Sequence, residues 1–433
     1  MAKSIIRPEK IDDLTPARLD AILKRSMEDI SSIYEHVRGI VEDVRQRGDE
    51  AILDANRELK QDISRHDLKV RPDEVKRAYR EVAPGLVDAL KAAARNILRF
   101  HEAQREREMW STEVAEGVLA GRITRPMERV GCYVPGGKAA YPSSVIMNVA
   151  PAKVAGVERV VVCTPPGKDG SVDPLTLVAC DICMVGEVYK IGGVQAIAAL
   201  AYGTESVPRV EKIVGPGNKY VTAAKSLVSG VVSIDKPAGP TEILIIADET
   251  SDPRLIAFDL ISQAEHGSGG ISGLVTISER VADEVDRLVG EMVPGCMRSE
   301  VISEVLNEGG FIYTVSCIDE AIDFANRFAP EHLEVMTGIP EEVAEKITNS
   351  GLILLGNYTP VSSTDYCMGV NHVLPTEGYA KVSSGITILD YMKPVSVVKA
   401  SRTGLGSVRG KVAALAEAEG LPNHREAVEA RFK

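Results

Sequence analysis

Seven histidines occur in 433 residues, and four of them, His266, His332, His372 and His424, stand in polar or turn-rich surroundings. In Gln263-Ala264-Glu265-His266 an amide and an imidazole are three residues apart, which puts both on one face of a helix. The pair can offer a divalent ion one oxygen and one nitrogen, with two further ligands coming from elsewhere. It reads equally as a polar helix end whose imidazole sits at the negative pole of the dipole. In Pro330-Glu331-His332-Leu333-Glu334 a carboxylate adjoins an imidazole. Both groups can be tuned toward neutral pH for acid–base work, which a dehydrogenase needs when a hydroxyl proton leaves alongside hydride. The plainer reading is a helix start after Pro330 with two solvated side chains. Thr359–Thr376 reads as a long polar loop after a buried strand, and loops at the carboxyl ends of parallel strands bind ligands in α/β proteins. It carries Asp365, a hard anionic metal ligand or a turn former. The last candidate, Glu419-Gly420-Leu421-Pro422-Asn423-His424, also reads as a frayed surface tail.

Two glycine/proline turns, Tyr133-Val134-Pro135-Gly136-Gly137 and Gly215-Pro216-Gly217-Asn218, each follow a strand pattern and precede a helix pattern. Glycine lets a backbone approach a phosphate at a helix N-terminus, although a simple tight turn needs the same residues. Cys180-Asp181-Ile182-Cys183 has no second pair at zinc-finger spacing and lies in an apolar stretch, so both thiols are expected to pack as small hydrophobes. Gly404-Leu405-Gly406 is followed by Gly410, one residue too late for a dinucleotide fingerprint, and reads as a flexible loop.

These side chains need elements to position them. Thr15 and Pro16 open a helix. Ile33, Val37, Ile40, Val41 and Val44 form one helical stripe stopped by Gly48, and Leu86, Leu90, Ala93 and Ile97 form another. From residue 129 short apolar runs alternate with helix-length spacers: Arg129–Val134, Arg159–Cys163, Val188–Ile191, Lys212–Val214, Ile243–Ala247, Leu274–Ile277, Phe311–Tyr313 and Ile353–Leu355. Such runs are buried on both faces of parallel sheets joined by βαβ crossovers. They are too many for one small sheet, so the pattern predicts two α/β units, with a closed barrel as the less favoured architecture. The tail 387–433 shows little strand character and ends in a charged helix, Ala413–Glu419.

The composition is that of a soluble protein, with 44% hydrophobic and 26% charged residues. A net charge of −12 argues against nucleic acid as a partner. No run is long enough for a signal peptide or a membrane span, and seven cysteines, an odd number, suit free thiols in a reducing cytoplasm.

Taken together, the segments Gly131–Pro151, Lys190–Gly203, Gly215–Tyr220, Ala238–Glu242, Ser262–His266, Ala329–Glu334, Thr359–Thr376 and Glu419–His424 resemble the histidinol dehydrogenase family. The resemblance implies two incomplete Rossmann-like parallel-sheet domains with small N- and C-terminal helical segments. The expected parts are an N-terminal segment 1–28, a first α/β domain of 29–112 and 241–386, an NAD-binding domain 113–240, and a segment 387–433 exchanged in a homodimer. It also implies NAD-dependent, four-electron oxidation of L-histidinol at active sites shared between subunits. One Zn2+ per subunit would be held by Gln263, His266, Asp365 and a partner's His424. His332 would take the hydroxyl proton, and Glu331 would activate the water that hydrates the aldehyde. Thr241, His372 and Glu419 match substrate contacts, as do the metal ligands and His332, while Tyr133, Gln195 and Asn218 match cofactor contacts. Thr241 stands where the family's usual motif has Ser, and Ser363-Thr364 stands before Asp365 where Gly is usual. A related zinc-dependent dehydrogenase acting on another amino alcohol or a hydroxysulfonate is the alternative.

Overall fold

A computed structural model of the chain describes residues 4–24, 31–61, 63–136, 140–236, 239–267 and 269–433. Gly137, Lys138, Ala139 and Ala238, which belong to segments singled out above, lie outside the described residues. Strand β1 (Pro8–Lys10) and helix α1 (Pro16–Lys24) are followed by four helices, α2 (Tyr34–Arg47), α3 (Asp49–Glu58), α4 (Pro72–Glu81) and α5 (Pro84–Ala103). A hairpin of β2 (Met109–Ala115) and β3 (Val118–Pro126) comes next. An alternating stretch then runs β4 (Arg129–Tyr133), α6 (Pro142–Ala155), β5 (Arg159–Thr164), α7 (Pro174–Ile182), β6 (Glu187–Lys190), α8 (Gly193–Tyr202), β7 (Lys212–Val214), α9 (Lys219–Val228) and β8 (Ser233–Ile234). A second such stretch begins with β9 (Glu242–Ala247), α10 (Pro253–Ala264), β10 (Ile271–Thr276), α11 (Glu279–Met292), α12 (Ser299–Gly309) and β11 (Gly310–Thr314). It continues through α13 (Ile318–Phe328), β12 (His332–Met336), α14 (Pro340–Glu345), β13 (Leu352–Leu355) and α15 (Val361–Thr364). The chain closes with β14 (Met392–Ala400), α16 (Arg402–Ala418) and α17 (Pro422–Glu429).

Two parallel sheets result, as the apolar runs predict. One has the order β1-β11-β10-β9-β12-β13, the other β6-β5-β4-β7-β8. Their central strands are buried on both faces. Ile243 and Ile245 face α10, α11 and α12, whereas Leu244, Ile246, Leu333 and Val335 face α13. In the other sheet Val160 and Val162 pack with α5, α6 and α7, and Val161 and Cys163 pack with α2, α8 and α9. Cys180 and Cys183 join the first of those layers, and burial pushes both thiols up.

The helices of 34–103 bury their stripes on the β4–β8 unit. Val37, Val41 and Val44 lie with Ile197 and Ala201 of α8, and Ala93, Ala94 and Ile97 lie with Val149 and Ala150 of α6. Several expectations are corrected. Val87 is buried in the α5 stripe and Leu86 is exposed. The tail does contain a strand: β14 pairs antiparallel with β3 along its whole length, in a three-stranded sheet ordered β14-β3-β2. Neither β2 nor β14 packs on a core that would announce it, since both are almost wholly exposed. Gly404-Leu405-Gly406 is helical, within α16 capped by Ser401. Gly404 is needed there because a Cβ would lie 2.1 Å from the Gly117 carbonyl oxygen. Pro330 leads into a strand, not a helix. Among the described residues no helix is long and apolar enough to cross a membrane.

One buried ion pair ties a helix to the β4–β8 sheet. Lys190 Nζ, at the end of β6, lies 2.5 Å from Glu74 Oε1 on α4, with both side chains nearly inaccessible. Removing one partner leaves the other charge buried and uncompensated. Glu74→Ala is therefore expected to lower stability by about 3–5 kcal/mol in urea unfolding, and Glu74→Gln by less. A loss of under about 1 kcal/mol for Glu74→Ala would mean that the ammonium finds water or another acceptor.

Candidate active site

Strands β9 and β12 are neighbours, with His332 level with Ile243 and Leu333 level with Leu244. The residues leading into them, Thr241-Glu242 and Glu331-His332, therefore meet at the amino edge of the sheet. Helix α10 carries Gln263 in its last turn, and His266 follows just beyond it. Asp365 is the C-terminal cap of α15. The cluster thus forms at strand starts and helix ends, not in a loop at the carboxyl edge as the Thr359–Thr376 stretch suggested.

His332 is 3% exposed, and its ring is fixed by two acceptors. Nδ1 lies 2.9 Å from the Glu242 carbonyl oxygen and 3.4 Å from Glu331 Oε2. A carbonyl can only accept, so Nδ1 carries the hydrogen and Nε2 holds the free lone pair of the neutral ring. Nε2 is buried and has no hydrogen-bond partner. Glu331 is fixed in turn: its Oε2 accepts from the Thr241 hydroxyl at 2.7 Å and from the Glu242 N–H at 2.9 Å. The Gln263 amide nitrogen donates to the same Thr241 hydroxyl. That orientation leaves the amide oxygen as the end of Gln263 able to serve an ion. Thr241 therefore joins the candidate ligand Gln263 to the carboxylate beside the base.

Asp365 closes the other side. Its Oδ2 lies 3.9 Å from His266 Nε2 and its Oδ1 3.7 Å from His372 Nδ1. His372 Nδ1 also donates to the Asp365 carbonyl at 3.1 Å. His266 stands half-exposed at the mouth, while His372 is largely covered. Burial alone would lower His332, but Glu331, then Asp365 and the Glu242 carbonyl, hold it up at about 9. For Glu331 burial works upward and is outweighed by His332 and by the bonds from Glu242 and Thr241, so its carboxyl sits below the usual value. His372 goes the other way, lowered chiefly by burial.

Gln263, His266 and Asp365 could offer an ion an amide oxygen, an imidazole nitrogen and a carboxylate oxygen, donor types that suit zinc. Among the described residues no three His, Cys, Asp or Glu side chains gather as a group that could hold a metal ion by themselves. His424 and Glu419 lie exposed on the α16–α17 hairpin, and no described bond joins either to the cluster. One copy of the chain thus assembles Thr241, Gln263, His266, Glu331, His332, Asp365 and His372, and leaves Glu419 and His424 outside.

The three residues expected at a cofactor sit together in topology at the carboxyl edge of the other sheet. Tyr133 ends β4, Gln195 stands in the first turn of α8 after β6, and Asn218 caps α9 after β7. Strand order reverses at β4, with β5 and β6 on one side and β7 and β8 on the other, so β4 and β7 flank a switch point where such sheets bind nucleotides. Tyr133 Oη accepts from Gly193 N at 3.2 Å. Gly215 has φ +124°, and a Cβ there would lie 2.0 Å from the Tyr133 carbonyl oxygen. The buried Lys225–Asp235 pair grips that glycine's peptide groups: Lys225 Nζ donates to its carbonyl at 2.9 Å, and Asp235 Oδ2 accepts from its N–H at 2.7 Å. Glu242, Lys225 and Asp235 escaped the sequence reading. The Glu242 role belongs to a backbone carbonyl, which every residue has, and the other two stand in no recognisable motif.

The ion pair fixes a pH dependence. A base held above its unfolded value adds stability that is complete below about 6.5 and is lost as pH rises through about 9. Glu331→Gln removes the facing anion, so burial should take over and His332 should titrate below 6.5. Ring-proton titration by NMR on the metal-free protein measures this directly. A value still near 9 would show that Glu331 does not set it.

Comparison with known proteins agrees on one family. The histidinol dehydrogenase family profile matches residues 23–432. The histidinol dehydrogenase of Methanosarcina mazei is 45% identical over 424 residues, covering 98% of this chain and 97% of its own. That of Archaeoglobus fulgidus is 46% identical over 415 residues, covering 95% and 98%. The crystal structure of histidinol dehydrogenase from Elizabethkingia anophelis superposes with a TM-score of 0.95 at 34% identity, covering 100% of this chain and 99% of that one.

Proposed function

This chain belongs to the histidinol dehydrogenase family, and from that premise we propose that it oxidises L-histidinol to L-histidine through L-histidinaldehyde, with NAD as the electron acceptor. These would be the last steps of histidine biosynthesis. The observation that carries the reading is the buried, unpartnered Nε2 of His332, held in the right tautomer by the Glu242 carbonyl and Glu331. A hydroxyl placed against Nε2 would give that nitrogen its missing partner and the substrate its general base.

Bound zinc, one per subunit, would be held by Gln263, His266, Asp365 and His424 of a second copy, and would supply positive charge that anchors the substrate's imidazole and amine. NAD, at Tyr133, Gln195 and Asn218, would supply the hydride acceptor. The remaining work falls to this chain's side chains. His332 Nε2 takes the hydroxyl proton as the carbinol C–H is oxidised. Glu331, ionised and pinned through Oε2, keeps its second oxygen to draw a proton from water as that water adds to the aldehyde. His332 then serves again as base when the hydrate is oxidised to the carboxylate. Thr241, His372 and Glu419 are assigned to substrate contact. The anionic surroundings of His332, from Glu331 and Asp365, would offset the charge of the bound ion.

A homodimer completes this picture, because His424 and Glu419 stand outside the cluster of their own chain. The sheet of β2, β3 and β14 fits an interface. It exposes Met109, Trp110, Val114, Leu119, Val395 and Val398, more apolar surface than one short sheet usually leaves to water. All seven cysteines are free thiols, which accords with a cytoplasmic location.

Purified protein given L-histidinol should yield two NADH per substrate, and other amino alcohols or hydroxysulfonates should be poor substrates. His332→Asn should lose roughly 10²–10⁴-fold in turnover while keeping its zinc. Full activity in that variant would remove His332 as the base. Subunit sharing has its own readout. His332→Asn and His424→Asn proteins, each inactive alone, should regain roughly a quarter of wild-type activity when refolded together, because half the dimers then carry one intact site. No recovery on mixing would place His424 in the same chain as the His332 it serves.

A further inference from the structure

Glu334 points to the same side of β12 as His332, two residues earlier, and is 1% exposed. Its Oε1 accepts from the Val361 N–H at 2.8 Å, the first N–H of α15. Its Oε2 is buried and meets no ordinary donor. The group that acts on it most strongly is another carboxyl, Asp259 of α10, also buried. Two carboxylates only accept, so a bond between them requires one proton shared by the pair. The charged and titratable groups facing the pair are few. His332 acts on Glu334 from its own strand, the Val361 N–H acts from α15, and Asp259 is affected by burial and by Glu334 alone.

The pair stands where three elements of the site meet. One turn beyond Asp259, α10 carries Gln263. Two residues before Glu334, β12 carries His332. Val361, held by Glu334, returns its carbonyl to the Asp365 N–H at 3.1 Å and to the Thr364 hydroxyl at 2.7 Å. Asp365 is thus one helical turn from the Glu334 carboxyl through backbone bonds. The catalytic scheme uses neither Asp259 nor Glu334, and two unpaired carboxylates in an apolar layer would be costly to keep.

We propose that Asp259 and Glu334 form a positioning pair, in which one shared proton locks α10, β12 and α15 together and so sets Gln263 and Asp365 around His332. The proposal rests on the reading of those residues as the metal and substrate site. Its physical core, the shared proton, does not. Burial raises both groups, Asp259 to about 6 and Glu334 well above the usual carboxyl value. Acids raised in the folded state add stability below their unfolded values and lose it as pH rises through the folded ones. Glu334→Gln keeps an oxygen for Val361 N–H and offers Asp259 an N–H, so it needs no shared proton. Glu334→Leu keeps neither.

The test begins with thermal melting of the metal-free protein without substrate. Between about pH 6 and 9 the wild type should lose a few degrees relative to Glu334→Gln. Parallel melting curves over that range would overturn the shared proton, whatever the enzyme's activity. The second measurement is zinc retained after dialysis, together with KM for L-histidinol. Glu334→Leu should retain less zinc and show a KM raised roughly tenfold or more at unchanged KM for NAD, and Glu334→Gln should rescue both. A Glu334→Leu protein that melts lower but keeps wild-type zinc and KM would reduce the pair to a fold element and refute the positioning role. If Glu334→Leu does not fold, Asp259→Asn takes its place in the melting series: its amide also donates without a shared proton, and its curve should follow that of Glu334→Gln. Absence of L-histidinol oxidation by the wild type would strike the functional reading and leave the melting result standing.

Discussion

His332 can be buried because residue 242 offers a carbonyl, and residue 331 a carboxylate, at the place where its ring N–H must go. The register of two adjacent parallel strands puts them there. His332 is level with Ile243, so the residues just before each strand share one edge. A slip of one residue would turn His332 to the α13 face and leave a polar ring among Leu333's apolar neighbours. The rest of the cluster hangs from that register. Thr241 bonds Glu331 only while the two strand starts are level, and Gln263 is held by the same Thr241 hydroxyl.

The electrostatics follow from this arrangement. Glu331 and Asp365 outweigh the burial of His332 and keep it basic, while His372, with Asp365 near but burial dominant, is pushed toward the neutral ring. Two imidazoles of one cluster thus reach opposite protonation preferences. The difference lies in which anion each faces and in how many hydrogen bonds hold that anion in place. A carboxylate pinned by an N–H and a hydroxyl, as Glu331 is, keeps its charge when buried; the Asp259–Glu334 pair, with one N–H between two carboxyls, keeps a proton instead.

The sequence showed the two parallel sheets clearly, because Val160–Cys163 and Ile243–Ala247 are apolar without interruption and only strands buried on both faces need that. It did not show which sheet would receive α2 to α5. A helical stripe such as Val37, Val41 and Val44 states which face is buried and says nothing of what buries it. Strands β2 and β14 were invisible for a related reason: with no core to pack against, their only reason to be strands is β3, and β14 reaches it from far along the chain, Val118 pairing with Ala400. Strand β12 was masked by its own chemistry, since Glu331, His332 and Glu334 make it look solvated. The residue types of the site were readable because imidazole, amide and carboxylate are rare together. The parts that make them work were not, because a backbone carbonyl and a register leave no mark on side-chain pattern.

The elements that carry the expected site residues differ in how firmly they are held. His332, Glu331 and Gln263 sit on strands and a helix of a packed sheet, where geometry is held to fractions of an ångström. His424 and Glu419 sit on a hairpin whose support is the three-stranded sheet, and that sheet is nearly bare on β2 and β14. A ligand carried on such an appendage can be positioned only when something covers the sheet. A second copy that covers it would bury Trp110 and Val398 and, with the same contact, fix the hairpin. Assembly and completion of the site would then be one event, and a lone chain would hold its base ready with no complete place to bind what the base acts on.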